Sequence, residues 1–257
     1  MSFRLTHLFD LTGRTALVTG GNSGVGFAIA TALGNAGAAL VLVARRRAEL
    51  DKAAAELSRN GFEATTIAAD LAIAEESARV GDTAAAGGLN VDILVNAAGV
   101  NLRQPFSEVS AAAFDLHMAL HLRAPFLLTQ ALAPAMAKRG WGRIINIASL
   151  QSWRAFPNSA PYGAAKGGVL QLTRAIAEEW SSRGITCNAI APGFVPTPLT
   201  APVFGDPERA KRVAAQTAIG RNSCAEDLAG ATVFFASDAS AYITGQTLAV
   251  DGGFTAK

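Results

Sequence analysis

The sequence has few charged residues, few cysteines and no long apolar run. Only 16% of its 257 residues are charged, below the quarter or so that is usual, and the formal net charge is +2. The one basic run, Arg45-Arg46-Arg47, is too short to indicate nucleic-acid binding. No apolar run approaches ~18 residues, so we expect no membrane-spanning helix.

The two cysteines indicate no metal or redox site, and the N-terminal residues indicate no signal peptide. Cys187 and Cys224 match no metal-binding or redox spacing, so we expect reduced thiols and no metal site. Residues 1–10 are interrupted by Arg4 and His7 and contain no signal-peptide core. We therefore expect a cytoplasmic protein.

Short apolar runs alternate with helical patterns from end to end, with no linker between them. This alternation predicts one α/β domain over residues 1–257, with a parallel sheet and helices on both faces. Ligands of such sheets bind beyond the carboxyl ends of the strands. The predicted strands are 15–18, 40–44, 63–69, 91–96, 142–148, 185–191 and 247–250, and the predicted helices are 27–36, 46–60, 74–86, 110–139, 159–183, 206–216 and 225–237.

A glycine-rich segment lies between the first predicted strand and helix. Gly20, Gly24 and Gly26 allow a tight turn, close approach to a phosphate and close packing of the helix. The helix N-terminus then offers free N–H groups to a pyrophosphate. Because the spacing is G-x-x-x-G-x-G, a strand-to-helix turn without a ligand remains an alternative for this segment alone.

Tyr162 and Lys166 share one face of a predicted helix, and Ser149 ends the fifth predicted strand. An ammonium beside a phenol stabilises the phenolate and lowers its pKa from about 10. Tyr162 would then transfer protons near neutral pH, with Ser149 bonded to the carbonyl or hydroxyl being converted. Alone, this pair is more often structural; beside a cofactor-type loop, catalysis is the better interpretation.

Together these motifs resemble the short-chain dehydrogenase/reductase family. The resemblance runs from about residue 11 to 253 and includes Asn96-Ala97-Ala98-Gly99 and Pro192-Gly193-x-x-x-Thr197. It implies a Rossmann-type doubly wound sheet ordered 3-2-1-4-5-6-7, a homotetramer, and a substrate lid at about 198–216. It implies Ser149, Tyr162 and Lys166 as catalytic residues, and as cofactor-binding residues Gly20, Asn22, Ser23, Gly24, Val25, Gly26, Asp70, Leu71, Asn96, Ala97, Gly99, Tyr162, Lys166, Pro192, Gly193, Val195 and Thr197.

One position departs from the family pattern. His121 stands where the family has an asparagine that interrupts a helix and supports a proton relay. Three interpretations stay open: His121 supports the bend, it turns away from the site with the bend absent, or it relays protons itself as a catalytic residue. His7 and His117 have no partner that the sequence identifies.

The cofactor preference is predicted from the end of the second strand. An acidic residue there binds the ribose 2′-hydroxyl of NAD, but here Ala44 is followed by Arg45. A guanidinium suits the 2′-phosphate of NADP, so we expect NADP(H) over NAD(H), with NAD(H) possible.

The predicted activity is hydride transfer between NAD(P)(H) and a carbonyl or secondary alcohol. The segments around Ser149 and Tyr162 resemble gluconate and 2-deoxygluconate dehydrogenases, so a sugar acid is the expected substrate. Gln151, Trp153 and Arg154 complete the predicted substrate site with Ser149 and Tyr162, and Arg103, Arg154 and Gln151 are candidates to bind a carboxylate. A 3-oxoacyl carrier-protein reductase is the alternative substrate class, and a non-catalytic dinucleotide-binding regulator the alternative of another class.

Overall fold

The described residues contain one parallel sheet of seven strands. The computed structural model describes residues 5–256; the predicted domain bounds, 1–257, also take in residues 1–4 and 257, which lie outside the described residues. The strands are β1 (Thr15–Thr19), β2 (Ala39–Ala44), β3 (Ala64–Ala68), β4 (Val91–Asn96), β5 (Gly142–Ile147), β6 (Ile185–Pro192) and β7 (Thr247–Val250). Their order, β3-β2-β1-β4-β5-β6-β7, confirms the predicted doubly wound topology.

Helices connect the strands and cover both faces of the sheet. None of those in residues 5–256 is long and apolar enough to cross a membrane. The α-helices are α1 (Leu5–Leu8), α2 (Gly24–Asn35), α3 (Arg47–Arg59), α4 (Ala74–Ala86), α5 (Ala111–Met118), α6 (Ala124–Arg139), α7 (Ala160–Trp180), α8 (Ala201–Phe204), α9 (Pro207–Ala215) and α10 (Ala229–Ala236).

Two large apolar clusters form most of the core, one on each face of the sheet, and a small third cluster includes residues of α7 and β6. Ile29 of α2, Leu50 of α3 and Phe235 of α10 pack on one face. The other face is covered by α4, α6 and α7, with residues such as Leu128 and Ile176. Because both faces are buried, the central strands are apolar on both sides, which is why they appear in the sequence as continuous runs.

The predicted helix over 110–139 is interrupted in the structure. A π-helical segment, Ala119–Arg123, separates α5 from α6 and has His121 at its centre. Such a segment inserts one extra residue into a helical turn and is frequent at functional sites. Apolar periodicity continues on both sides of it, so the periodicity alone predicted one unbroken helix.

The register of the central strands brings their loops together. Thr19 pairs with Asn96, and Asn96 pairs with Asn146, so β1, β4 and β5 end side by side. Thr19 also accepts hydrogen bonds at Oγ1 from the backbone N–H groups of Ala97 (2.9 Å) and Ala98 (3.1 Å). The loop after β4 is thereby tied to the glycine turn after β1.

Candidate active site

A cleft of about 730 Å³ lies beyond the carboxyl ends of the strands. Its walls come from the loops that follow β1 to β6, which is where the fold class places ligands. The predicted residues that line it are Gly20, Asn22, Ser23, Gly24, Val25, Gly26, Arg45, Asp70, Leu71, Ala97, Gly99, Arg103, His121, Ser149, Gln151, Tyr162, Lys166, Pro192, Gly193, Val195 and Thr197.

The glycine turn has the shape that a bound dinucleotide requires. A Cβ atom at Gly26 would lie 2.3 Å from the carbonyl oxygen of Gly20, so only glycine lets α2 begin this close to β1. Helix α2 starts at Gly24, earlier than predicted, and the Ser23 side chain makes no capping hydrogen bond to it. Its first N–H groups therefore face the cleft and suit an anionic pyrophosphate.

Arg45 lies at the rim of the cleft next to this turn. Its neighbour Arg46 pairs with Glu49, which also accepts a hydrogen bond from the Asn22 amide (3.2 Å). Among the described residues, Arg45 takes part in no ion pair or hydrogen bond and is exposed. Its guanidinium is thus available to an anion in the cleft.

Tyr162 and Lys166 lie on the buried face of α7, where only 7% and 5% of their surfaces remain exposed. The Lys166 ammonium donates to the Ile147 carbonyl and lies 5.6 Å from the centroid of the Tyr162 ring. The Ser149 side chain hydrogen-bonds to Tyr162. Ser149 also caps the turn Leu150–Ser152 by accepting from the Gln151 N–H (3.1 Å), so its structural and chemical roles coexist.

Burial dominates the ionisation of both groups. It raises the pKa of Tyr162, while the hydrogen bond from Ser149 and the charge of Arg103 lower that pKa. Burial also lowers the pKa of Lys166 to about 7. The positive charge that favours the Tyr162 phenolate is therefore that of Arg103. The sequence pattern predicts the Lys166 ammonium in this role.

Comparisons with known proteins agree with this geometry. A family model described as enoyl-(acyl carrier protein) reductase matches residues 20–255. The chain belongs to the short-chain dehydrogenase/reductase family. Gluconate 5-dehydrogenase of Gluconobacter oxydans is 39% identical over 250 residues, which cover 96% of this chain and 97% of that protein. A 3-oxoacyl-[acyl-carrier-protein] reductase of Synechocystis is 38% identical over 245 residues, with 95% and 97% covered.

A solved structure shares the fold closely. The gluconate 5-dehydrogenase of Burkholderia cenocepacia, in complex with NADP and tartrate, superposes with a TM-score of 0.94. It is 37% identical, and the match covers 99% of this chain and 100% of that one. Members of the family are NAD(P)-dependent dehydrogenases and reductases, so this chain is an oxidoreductase of that class.

His121, the departure from the family pattern, faces the active site of this dehydrogenase. Its Nε2 atom donates to the Val100 carbonyl (2.8 Å), and its ring lies against Gly99, where a Cβ would be 2.2 Å from Cε1. The ring is 5.2 Å from that of Tyr162, centroid to centroid. With the π-helical bend present and the ring inside the site, the interpretation that His121 turns away is wrong.

Burial and the nearby charge of Lys166 lower the pKa of His121 well below its usual 6.5. The imidazole is therefore neutral at neutral pH, with the proton on Nε2 and a lone pair on Nδ1. That Nδ1 atom is buried and has no hydrogen-bond partner among the described residues. Bend support and proton relay both remain compatible with this geometry.

Asn96 lies behind the cleft instead of in its wall. Its amide donates to Asn146 Oδ1 (2.8 Å), and its own Oδ1 is buried without a partner in the described chain. It borders a second cavity of about 10 Å³ that His121 and Lys166 also line, which is room for about one water. Asn96 is therefore absent from the wall of the cleft, because β4 still pairs with β5 at this residue.

Two predicted substrate residues lie outside the cleft. Trp153 is half exposed and is absent from the cleft wall. Arg154 donates to the Phe254 carbonyl (3.1 Å) and its guanidinium lies 5.1 Å from the centroid of that ring. The turn Leu150–Ser152 directs the chain away after Gln151, so Arg154 anchors the C-terminal residues instead of a ligand.

The structure adds detail at Arg103, a predicted carboxylate-binding residue, and at His117, which sequence reasoning missed. Arg103 has φ +50°, and its buried Nε atom has no partner in residues 5–256. His117 is 2% exposed and hydrogen-bonds to Ala113 and Leu102. No sequence spacing links these two residues, because Arg103 lies in the loop after β4 and His117 lies in α5.

We expect His121→Asn, which restores the family residue, to leave turnover within about threefold of the parent. His121 stays neutral across the working pH range, so it contributes no limb to the pH–rate profile between pH 6 and 9. Steady-state rates across that range check this. A lost limb or a large fall in kcat would instead assign His121 a direct relay.

The same substitution should change stability in acid. The folded protein resists protonation of His121, so its contribution to stability is complete above the unfolded pKa and is lost as pH falls through the folded one. The free energy of unfolding of the parent should therefore fall more steeply below about pH 6.5 than that of His121→Asn. Parallel pH–stability curves for the two proteins would contradict the lowered pKa.

Proposed function

We propose that this chain is an NADP(H)-dependent oxidoreductase that interconverts a secondary alcohol and a ketone on a sugar acid such as gluconate or a keto-gluconate. One observation carries the proposal. Tyr162, Ser149 and Arg103 line the same cleft, and both Ser149 and the charge of Arg103 lower the pKa of the buried Tyr162 phenol. A proton donor and a carboxylate-binding cation thus face the same space.

The catalytic roles follow from these positions. The bound nicotinamide supplies or accepts the hydride. Tyr162 gives its proton to the carbonyl oxygen in reduction and takes it back in oxidation, and Ser149 bonds to the same oxygen. Lys166 lies below them, close enough to the cleft to bond the nicotinamide ribose, and a negatively charged cofactor would favour its protonated form.

Arg103 is proposed to bind the substrate carboxylate. Burial and the charge of Arg209 lower the pKa of Arg103. A substrate carboxylate bound here would offset both effects, because it would pair with the guanidinium. Arg209 belongs to α9, is exposed, and donates to the carbonyl of Pro202 (3.4 Å), a residue that lines the cleft. A bound carboxylate would therefore link the loop after β4 to this helix.

The segment at about 198–216 is proposed as the substrate lid of a single catalytic domain. It comprises the turn Pro198–Thr200 and helices α8 and α9. Val203 and Val213 are its buried anchors, while most of its other side chains are exposed. Few buried apolar contacts are typical of segments that open and close over a ligand.

The proposal predicts a preference for acids that depends on Arg103. The parent enzyme should oxidise D-gluconate with kcat/KM at least about tenfold higher than galactitol, a neutral polyol, because a charge-assisted bond favours the acid. Arg103→Ala should remove that preference by raising KM for gluconate. Arg154→Ala, an arginine outside the cleft, is the matched control and should keep the preference. Cofactor absorbance at 340 nm records the rates.

The same assay distinguishes the alternatives. The likeness to the Synechocystis reductase favours a 3-oxoacyl thioester as second candidate. Faster turnover of such a thioester than of the sugar acids, with Arg103→Ala neutral, would select it. Cofactor binding without turnover of any carbonyl or alcohol would indicate a dinucleotide-binding regulator.

We also propose a cytoplasmic homotetramer. Leu128, Leu132 and Met136 of α6 are buried against the sheet, so they are not available to an interface. Exposed apolar side chains that could meet a partner subunit include Phe114 on α5, Phe126 on α6, Tyr242 and Leu248. Sedimentation of a monomer at micromolar concentration would contradict the assembly.

A further inference from the structure

The loop that carries Arg103 depends on side chains for its position. Residues 99–103 follow β4, and none of their N–H groups donates to a backbone carbonyl in the described chain. Two histidines hold the loop instead. His121 Nε2 donates to the Val100 carbonyl (2.8 Å), and the Leu102 N–H donates to His117 Nε2 (3.4 Å).

The two histidines fix the register of the loop. They are one helical turn apart, at the end of α5 and in the π-helical segment, and their ring centroids are 6.1 Å apart. His121 contacts Val100, and His117, the earlier histidine in the chain, contacts Leu102, the later loop residue. The loop therefore runs antiparallel to the helix and is held at alternate residues.

His117 is held in the tautomer that this contact needs. Its Nδ1 atom donates to the Ala113 carbonyl (2.7 Å), which leaves the lone pair of Nε2 for the Leu102 N–H. Its ring is 2% exposed and lies 6.5 Å from the ring of Tyr162, centroid to centroid. Both nitrogens are engaged, so His117 acts through the loop and does not touch a substrate.

Arg103 directly follows Leu102 in the chain and has a strained backbone conformation. Its φ of +50° is left-handed, which a non-glycine residue keeps only where the surrounding structure enforces it. The restraint directly before it is the bond from Leu102 to His117. Without that bond, the backbone at Arg103 would relax and move the guanidinium away from Tyr162.

We infer that His117 is a positioning residue for recognition of the substrate carboxylate: by accepting the Leu102 N–H it holds Arg103 beside Tyr162. This inference rests on the role proposed above for Arg103. It gives His117 a part in substrate specificity, although His117 itself does not touch the substrate.

The test is a double-mutant cycle on the enzyme with NADPH bound, with D-gluconate as probe and quenching of cofactor fluorescence as readout. We expect His117→Leu to weaken gluconate binding about fivefold to tenfold, as the loss of one buried hydrogen bond and its restraint. His117→Gln, whose side-chain oxygen can accept near the Nε2 position, should restore binding to within about threefold of the parent. His7→Leu, on an exposed histidine, is the control.

The decisive arm is the Arg103→Ala background. There His117→Leu should add less than about a twofold effect, since its route to the substrate is gone. NADPH affinity should stay within about twofold in all variants, and galactitol binding should stay within about twofold in the His117 variants and in His7→Leu. If His117→Leu unfolds in thermal melts, His117→Met, which also lacks a strong acceptor, takes its place.

The outcomes separate this inference from the proposed function. Arg103→Ala without effect on gluconate overturns the proposed function and this inference with it. An Arg103→Ala effect together with an undiminished His117→Leu effect in that background overturns only the inference. An equal loss for gluconate and galactitol would mean that His117 merely stabilises the fold.

Discussion

Tyr162→Phe should lose about 10²- to 10⁴-fold in kcat, the usual contribution of a positioned acid or base. The substitution removes only the phenol hydroxyl and keeps a ring of the same shape in a buried site that is 7% exposed. Ser149 and Lys166 remain, but neither replaces the proton that Tyr162 gives to the carbonyl. The loss should therefore appear in turnover, with cofactor binding preserved.

The chain offers a matched control for this experiment. It contains only two tyrosines, and Tyr242 is fully exposed and far from the cleft wall. Tyr242→Phe should leave kcat unchanged. Thermal melts and NADPH titrations of both variants establish that fold and cofactor site are intact. Near-normal turnover by Tyr162→Phe would refute the assigned proton donor.

The phenol also predicts the pH dependence of oxidation. Burial raises the pKa of Tyr162, and the charge of Arg103 opposes that rise. Removing the charge, as in Arg103→Ala, should move the alkaline-side ionisation of Tyr162 further up, so the oxidation rate should reach its plateau at a higher pH than in the parent. A shift in this direction would show that Arg103, and not Lys166, supplies the positive charge that lowers the Tyr162 pKa.

The sequence predicted the strand order and most of the cleft because these depend on local patterns. Each buried strand is a continuous apolar run, and each loop at its carboxyl end carries a glycine or polar residue that the fold class brings to one edge. The order β3-β2-β1-β4-β5-β6-β7 and the placement of Ser149, Tyr162 and Lys166 in one cleft follow from this.

The failures come from interactions that no local pattern encodes. The π-helical segment leaves apolar periodicity intact, so its position depended on the family resemblance at His121. Arg103 and Arg154 are both loop arginines near the site. The chain turns away from the cleft after Gln151, so Arg154 packs on Phe254, whereas Arg103 is near enough to Tyr162 to lower its pKa. His117 acquires its role from a loop fifteen residues earlier in the chain.

Arg45→Ala should lower kcat/KM for NADPH by about ten- to a hundredfold, because a charge-assisted hydrogen bond contributes about 1.5–3 kcal/mol and each 1.4 kcal/mol is tenfold. Arg45 is exposed at the rim of the cleft beside the glycine turn and has no ion pair in the described chain. Only NADPH has the 2′-phosphate that this guanidinium would meet, so kcat/KM for NADH should change by less than about twofold.

The neighbouring arginines make this prediction specific. Arg47 belongs to the same basic run but pairs with Asp51 (2.8 Å) and does not line the cleft, so Arg47→Ala should leave both cofactors unaffected. Arg46 lines the cleft but is paired with Glu49, whose carboxylate also accepts from Asn22. Glu49→Gln should free Arg46 and remove a negative charge near the glycine turn, which favours NADPH further. Opposite changes in the NADPH/NADH ratio for Arg45→Ala and Glu49→Gln are expected from steady-state kinetics. A parent enzyme that uses NADH as well as NADPH, with both variants neutral, would show that the 2′-phosphate is not bound here.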